Sequence, residues 1–369
     1  MKAGFANKAR RFQVGGYEGL VHISVHFRYS VGMSEPLIDK DIRKAQTLPA
    51  EVYQNLPPVE MFVQSPQFAA HSSELEFHNL LPLPRMEILL NQSMLMIGPE
   101  PRCFSNVCTH RAMILVDESS TREHIQCPYH GRTFGLDGIC KHMPKFEEVE
   151  DFPSPSDHLM EYPVISWEGL NFIGSGPGLQ TFKQMMSWFP FAKCVHDPGL
   201  DRSYEIEANW ALYVDNYLEG FHIPFVHPDL NKSIEWDSYS TEVFEGAVLQ
   251  VAKSRDGEPA FADGTAAWYW WLFPNTMLNI YPWGMSVNIV IPEGGENCRV
   301  IYRGYVLDAS KMTGAGGELD KVEAEDRSVV ESVQRGVRSD SYSRGRFSPQ
   351  MEMGVHHFHV MYSRWLDGE

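Results

Sequence analysis

Two cysteines and two histidines stand in mirrored pairs in CTHRAMILVDESSTREHIQCPYHG, residues 108–131. The pattern is Cys108-x-His110, sixteen residues, then Cys127-x-x-His130. Thiolates and imidazoles are the ligands of zinc and of iron–sulfur clusters. Cys-x-His is an unusual half of a zinc finger. A two-iron, two-sulfide rhomb suits the pairs better: two cysteines hold one iron, two histidines the other, and each loop gives one of each. Gly131, after the second histidine, lets the loop backbone approach such a cluster. A zinc site is the competing reading, and coincidental core residues are a further one. The remaining cysteines, Cys103, Cys140, Cys194 and Cys298, are scattered singly, which argues against a disulfide framework.

A cluster alone only passes electrons, so the chain needs a destination for them. NWALYVDNYLEGFHIPFVH, residues 209–227, carries His222 and His227. A gap of five does not align on one helix face. Pro224 breaks the helix between them, so both can still converge, although on spacing alone two loop histidines are the plainer reading. In a helix expected over 318–338, Val322, Val329, Val330, Val333 and Val337 form one apolar stripe. Asp326 lies four after Val322 and four before Val330, and so faces inward. A carboxylate there is costly unless paired, hydrogen-bonded or metal-bound. Its neighbours Glu325 and Arg327 are expected to point into solvent. Two histidines and one carboxylate make the facial triad of non-haem Fe(II) oxygenases, with positions left open for O₂ and substrate.

Other residues carry two readings each. Glu219, three before His222, shares its helix face; the plain alternative is an exposed helix side chain. Asn216 can orient a ligand or water, or be a helix-surface amide. His356, His357 and His359 suggest a metal, but helix packing is the plainer account. Trp268, Trp270, Trp271, Phe273, Tyr281 and Trp283 are mostly core, with some expected to line a cavity suited to a quaternary ammonium group.

Elements must position these groups, and the chain has room for them. Its 369 residues suffice for two domains. A net charge of −17 argues against nucleic-acid binding, which needs clustered Lys and Arg. No run approaches the roughly 18–20 apolar residues of a membrane span, and a cytoplasmic location is expected. The basic stretch MKAGFANKARRF reads as a mobile tail, with a transit peptide as the alternative. Residues 1–65 read as irregular. Between 66 and 176, short apolar runs such as MEILL and SMLMIG alternate with turn signals, including Asp137-Gly138, as in a small antiparallel β domain. GSGPG at 174–178 reads as a linker to a second unit, 177–369. That unit is expected to hold a helix over 209–222 and strands at AAWYWWLF, TMLNIYPW, SVNIVIP and CRVIYRGYVL. The helix over 318–338 follows, and a last helix starts near Pro349. The class is α+β, with a large twisted antiparallel sheet flanked by helices.

CTHR…CPYHG resembles the Rieske signature of ring-hydroxylating oxygenase α-subunits. Respiratory-type Rieske proteins carry an extra cysteine in each loop, paired as a disulfide. Here other residues, such as Tyr129 and Ala112, stand in those positions. Arg132 stands where many family members have Trp, a change expected to alter the rim of the loop and not its ligation. NW…DNYLEGFHIPFVH and EDRSVVESVQRGVRS…YSRGRFSPQMEMGVHHFH resemble the family's catalytic and carboxyl-terminal segments. The resemblance implies a helix-grip catalytic domain. It implies Cys108, His110, Cys127 and His130 as ligands of a [2Fe–2S] cluster, and His222, His227 and Asp326 as ligands of a mononuclear Fe(II). Glu219, where most of the family has Asp and some carnitine-type members have Glu, would link His222 to His130 of the partner subunit. The family is typically trimeric, and its electrons come from NAD(P)H through a separate reductase, possibly with a ferredoxin. The segments look closest to choline-, betaine- and carnitine-type monooxygenases. Expected chemistry is O₂-dependent hydroxylation or oxidative N-demethylation of a small quaternary ammonium compound. An aromatic-acid dioxygenase and an electron carrier without a working iron site are the alternatives.

Overall fold

The computed structural model describes residues 12–14, 17–19, 41–57, 61, 67–71, 79–82, 94–97, 101–116, 120–121, 123–174 and 176–367. Contacts divide the chain into residues 1–36 and 37–369. In the first unit β1 (Phe12–Val14) pairs antiparallel with β2 (Tyr17–Gly19). The basic tail before Phe12 and the expected run MEILL lie outside the described residues. Residues 41–57 are turns and coil around one 3₁₀ turn, and Ala45, Leu48, Val52 and Tyr53 of this segment are buried in the main core of the second unit. Val52 and Tyr53 enter it from a single 3₁₀ turn, Ala50–Gln54.

In the second unit, β3 (Gln67–His71), β4 (Asn79–Pro82), β5 (Met94–Ile97), β6 (Arg102–Ser105) and β7 (Ser120–Thr121) come first. The short strands β8 (Ile125–Gln126), β9 (Thr133–Phe134), β10 (Cys140–His142), β11 (Glu161–Tyr162), β12 (Val164–Trp167) and β13 (Leu170–Ile173) follow. They form three small sheets, ordered β10-β9-β8, β11-β6-β5-β4-β7 and β12-β13-β3. The turn expected at Asp137-Gly138 joins β9 to β10. Gly138 has φ +76°, and a Cβ there would come within 2.5 Å of the Phe104 ring, so only glycine fits. The Asp137 carboxylate accepts from Ile139 N–H at 3.0 Å and closes the turn.

Pro177 and Gly178 of the expected linker instead open α1 (Pro177–Met185). Then come β14 (Val195–His196), β15 (Arg202–Ile206), α2 (Trp210–Tyr217), α3 (Ile223–Val226) and α4 (Leu230–Ser233). The large sheet follows, from β16 (Ile234–Phe244), β17 (Ala247–Ser254), β18 (Thr265–Leu272), β19 (Thr276–Tyr281), β20 (Gly284–Pro292) and β21 (Cys298–Val306). Its order is β14-β21-β20-β19-β18-β17-β16, with β15 also on β21, antiparallel throughout. The four aromatic and β-branched runs read as strands all lie in it. Every residue of β19 and β20 is buried, which explains their near-continuous apolar character. The end strand β16 carries exposed Glu235, Asp237 and Glu242.

Two long helices close the chain, α5 (Leu319–Val337) and α6 (Met353–Asp367). α5 matches its expected span, but its buried face is Glu323, Val330, Gln334 and Val337, while Val333 is 43% exposed. The all-valine stripe is therefore wrong by a rotation of the helix. α6 begins four residues after Pro349. Before it, Ser348 and Glu352 bond reciprocally, the Glu352 carboxylate accepting from Ser348 N–H and the Ser348 carbonyl from Glu352 N–H, which holds Pro349 in a turn. Among the described residues, no helix is long and apolar enough to cross a membrane.

Candidate active site

The loops that carry the first four candidate ligands are copies of one backbone turn. Cys108 N–H donates to Met113 O at 2.8 Å, and Ala112 N–H to Cys108 O at 2.9 Å. Cys127 N–H donates to Arg132 O at 2.8 Å, and Gly131 N–H to Cys127 O at 3.0 Å. Ala112 and Gly131 occupy the same place, with φ +56° and +74°. A Cβ on Gly131 would find ordinary contact with Pro144 at 3.5 Å, so its left-handed φ, and not a close approach, is what favours glycine. Cys108 and Cys127 are buried and unbridged. Burial pushes the Cys108 thiol up, and the neighbouring Cys127 adds to it. The His110 and His130 rings are 4.9 Å apart, with His130 exposed and stacked on Tyr129 at 3.6 Å. Two buried sulfurs and two adjacent imidazoles on matched loops fit a two-iron cluster with split ligation.

Arg132 does not sit at the rim. It is 2% exposed and lies between the two loops. Its guanidinium donates to Thr109 Oγ1 at 2.8 Å and Asp157 Oδ1 at 3.1 Å, and covers the rings of Phe146 and Phe152. It ties the second ligand loop to the first.

The second set converges from two separate segments. Asn209 caps α2, its side chain accepting from Ala211 N–H at 2.9 Å. The helix stops at Tyr217, five residues short of the expected end. Leu218 terminates it, and at Gly220 the Tyr239 ring stands 2.6 Å from where a Cβ would be, so the chain turns there. His222 then caps α3, whose first turn holds Pro224. This break brings residues five apart together, with His222 Nε2 3.1 Å from His227 Nε2. Asp326 Oδ1 on α5 is 3.0 Å from His227 Nε2 and 3.5 Å from His222 Nε2. Donor atoms of the three residues lie within 4.8 Å of one another.

Each imidazole is held from behind by a carboxylate. His222 Nδ1 donates to Glu219 Oε1 at 2.6 Å, while Glu219 Oε2 accepts from the backbone N–H groups of Phe221 and His222. His227 Nδ1 donates to Glu325 Oε2 at 2.7 Å. Glu325 is thus not a solvated neighbour; it was missed because the apolar stripe turned it outward. His227 is 2% exposed. Burial alone would lower its pKa, but the bonds to Asp326 and Glu325 outweigh this and raise it. Asn216 Nδ2 donates to Asp326 Oδ1 at 2.6 Å. Outer hydrogen bonds of this kind fix ring tautomer and orientation in metal sites. Three ligand atoms converging on one point, on side chains each held by a further partner, fit a divalent ion with open positions.

His356, His357 and His359 pack as a helix face. His359, fully buried, accepts from Leu48 N–H at Nδ1, so Nε2–H is left to donate to Asp215 Oδ1 at 2.8 Å. His357 donates to Phe244 O, and His356 meets the Phe347 ring edge to face. A cavity opens beside the triad, lined by Tyr213, Tyr217, Tyr239, Tyr269, Tyr281 and Tyr302. Of the expected aromatic set, Tyr281 lines it, while Trp270, Trp271 and Trp283 are buried in the core. Sequence reasoning also missed Glu323, a lining residue one turn before Asp326.

Comparison with known proteins adds to this geometry. Residues 66–153 match the Rieske [2Fe-2S] domain family, and residues 197–368 the ring hydroxylating alpha subunit (catalytic domain) family. The carnitine monooxygenase oxygenase subunit of Escherichia coli (strain K12) is 31% identical over 350 residues, 86% of this chain and 93% of that protein. The chain belongs to the Rieske oxygenase α-subunit family. This α-subunit is also 31% identical over 285 residues, 72% of its length, to the chloroplastic choline monooxygenase of Beta vulgaris, of which it spans 63%. A crystal structure of the quaternary ammonium Rieske monooxygenase CntA superposes with a TM-score of 0.73 at 25% identity, over 90% of the α-subunit and 98% of that chain. The family has a cluster domain and an iron domain, which are the two groups that the donor sets fit.

Proposed function

We propose that this α-subunit is the oxygenase component of a Rieske non-haem iron system acting on a small quaternary ammonium compound. The observation that carries the reading is the convergence of His222, His227 and Asp326 beside a cavity walled by tyrosines. Tyrosine rings attract an onium group by cation–π contact, and choline and carnitine monooxygenases are among the relatives. In this reading Cys108, His110, Cys127 and His130 hold the cluster, in a domain over 66–176 that follows an amino-terminal segment, 1–65. His222, His227 and Asp326 hold the iron in a domain over 177–369. When bound, the two groups supply one-electron storage and O₂ activation.

The protein's own groups do the rest. Glu219 and Glu325 keep the Nδ1 protons of His222 and His227, so that both Nε2 atoms stay free to ligate. Asn216 holds one oxygen of Asp326 and sets which lone pair is presented. The tyrosine wall orients the substrate and limits water. In monooxygenation one oxygen atom enters a substrate C–H bond and the other leaves as water. Two electrons and two protons are consumed, and NAD(P)H supplies the electrons through a separate reductase. Glu219 also serves the electron path to His130 of the partner subunit in a homotrimer, in the cytoplasm.

Electron paramagnetic resonance of the ferrous, nitric-oxide-treated protein tests the reading, with choline, betaines, carnitine and aromatic acids as the panel. A nitrosyl signal perturbed by the onium compounds, and absent from Asp326→Ala, is the expected result. Perturbation by aromatic acids alone would transfer the assignment to a ring-hydroxylating dioxygenase. No signal in iron-replete protein would leave an electron carrier.

A further inference from the structure

The cavity holds a carboxyl group that neither the triad nor its supporting bonds use. Glu323 stands one turn before Asp326 on α5, so the two share a face. It is 8% exposed. Its Oε2 accepts from Tyr213 O–H at 2.7 Å, and its Oε1 has no partner. Burial pushes its pKa up to about 8, although the Tyr213 hydrogen bond pulls the other way. A second buried acceptor in the same wall, Asn288 Oδ1, is also without a partner.

Charge sharpens the point. Among the described lining residues, the ionisable acids and bases besides tyrosine are Glu219, Glu323, Asp326, His222 and His227; none is Lys or Arg. A divalent ion on the triad is already offset by Asp326 and the two carboxylates behind the imidazoles, Glu219 and Glu325. Glu323 is left over, in a place where an uncompensated carboxylate is costly. The hydroxyl protons of Tyr213, Tyr217 and Tyr239 are committed to Glu323, to Asn279 or Trp270 O, and to Gln250. The Tyr302 hydroxyl in the same wall is without a partner and can donate or accept. The free oxygens of Glu323 and Asn288 still favour a ligand that brings positive charge and a donor.

We infer that Glu323 is the counter-ion for the onium head of the substrate, and that the cavity selects a hydroxylated cation over a zwitterion bearing a carboxylate. This rests on the quaternary ammonium reading above. A carboxylate on the ligand would meet the Tyr302 hydroxyl as a donor but no basic side chain to offset its desolvation. A hydroxyl would find a free acceptor in Asn288 Oδ1.

The test measures dissociation constants on the iron-reconstituted protein for choline, its neutral carbon isostere 3,3-dimethylbutan-1-ol, and carnitine. The chains are wild type, Glu323→Gln and Glu323→Asp. Wild type should bind choline at least about tenfold tighter than the isostere. Glu323→Gln should lower that ratio several-fold, leaving the part due to the tyrosine rings, with the isostere's affinity little changed, and Glu323→Asp should keep most of it. An unchanged ratio in Glu323→Gln overturns the assignment. So does a wild-type ratio near one with choline still bound, which needs no variant to fold. Carnitine, which bears both a hydroxyl and a carboxylate, binding tighter than choline overturns the discrimination against a carboxylate. Failure of every onium compound to bind wild type removes the substrate class itself, a result distinct from the others.

Discussion

Glu323 leaves a mark on stability as well as on binding. In metal-free protein without a cation, burial keeps its carboxyl protonated up to about pH 8, whereas the unfolded chain releases that proton near the ordinary carboxyl value. The native state then binds more protons, so stability falls as pH rises through this window and levels off above it. Thermal melts from about pH 5 to about pH 9 should show the wild type losing melting temperature relative to Glu323→Gln, with a flat difference across the window counting against the burial effect. At this scale the ligands were legible, because few residue types bind metals and their spacing is constrained. Glu323 and Glu325 were not. A one-sequence pattern ranks valines as inward by default, and it took the observed roll of α5 to show carboxylates on the buried side.

At the scale of elements, the paired ligand loops depend on one cross-tie. Arg132 reaches from the second loop to Thr109 on the first and to Asp157 beyond. Arg132→Met removes those charge-assisted bonds and leaves Asp157, itself 21% exposed, without its partner. Since Asp157 is partly solvated, we expect a loss of about 2 kcal/mol in chemical denaturation together with bleaching of the visible cluster absorbance. Adding Asp157→Asn should recover part of it, and an unchanged midpoint would show that the loops hold themselves. The strands of the large sheet and the span of α5 were readable from composition and period. The end of α2 was not, since apolar spacing continues to Phe221 while the helix is capped at Leu218, and the close approach of the Tyr239 ring from β16 to Gly220 joins distant parts of the chain.

At the scale of the whole molecule, the proposed route from His130 to Glu219 of a neighbour predicts an assembly. Sedimentation should give a species of about three 42.1 kDa chains. Co-assembled Cys108→Ser and Asp326→Ala chains, each inactive alone, should regain part of the activity, since one supplies an intact iron site and the other an intact cluster. Mixed trimers that stay dead would confine electron transfer to single chains. None of this can be read from local pattern, because partners meet through surfaces that no period encodes. One surface does carry its own instruction. A strand that ends a sheet offers unpaired backbone groups to any other strand, and eleven residues of β16 make a long template. Glu235, Asp237 and Glu242 stand exposed along it, and its register slips between Glu235 and Ser240. Two such edges meeting would bring like charges together on mismatched ladders. The acidity of this chain is therefore more than a solubility average: along this border it works as a guard against fibril-like growth.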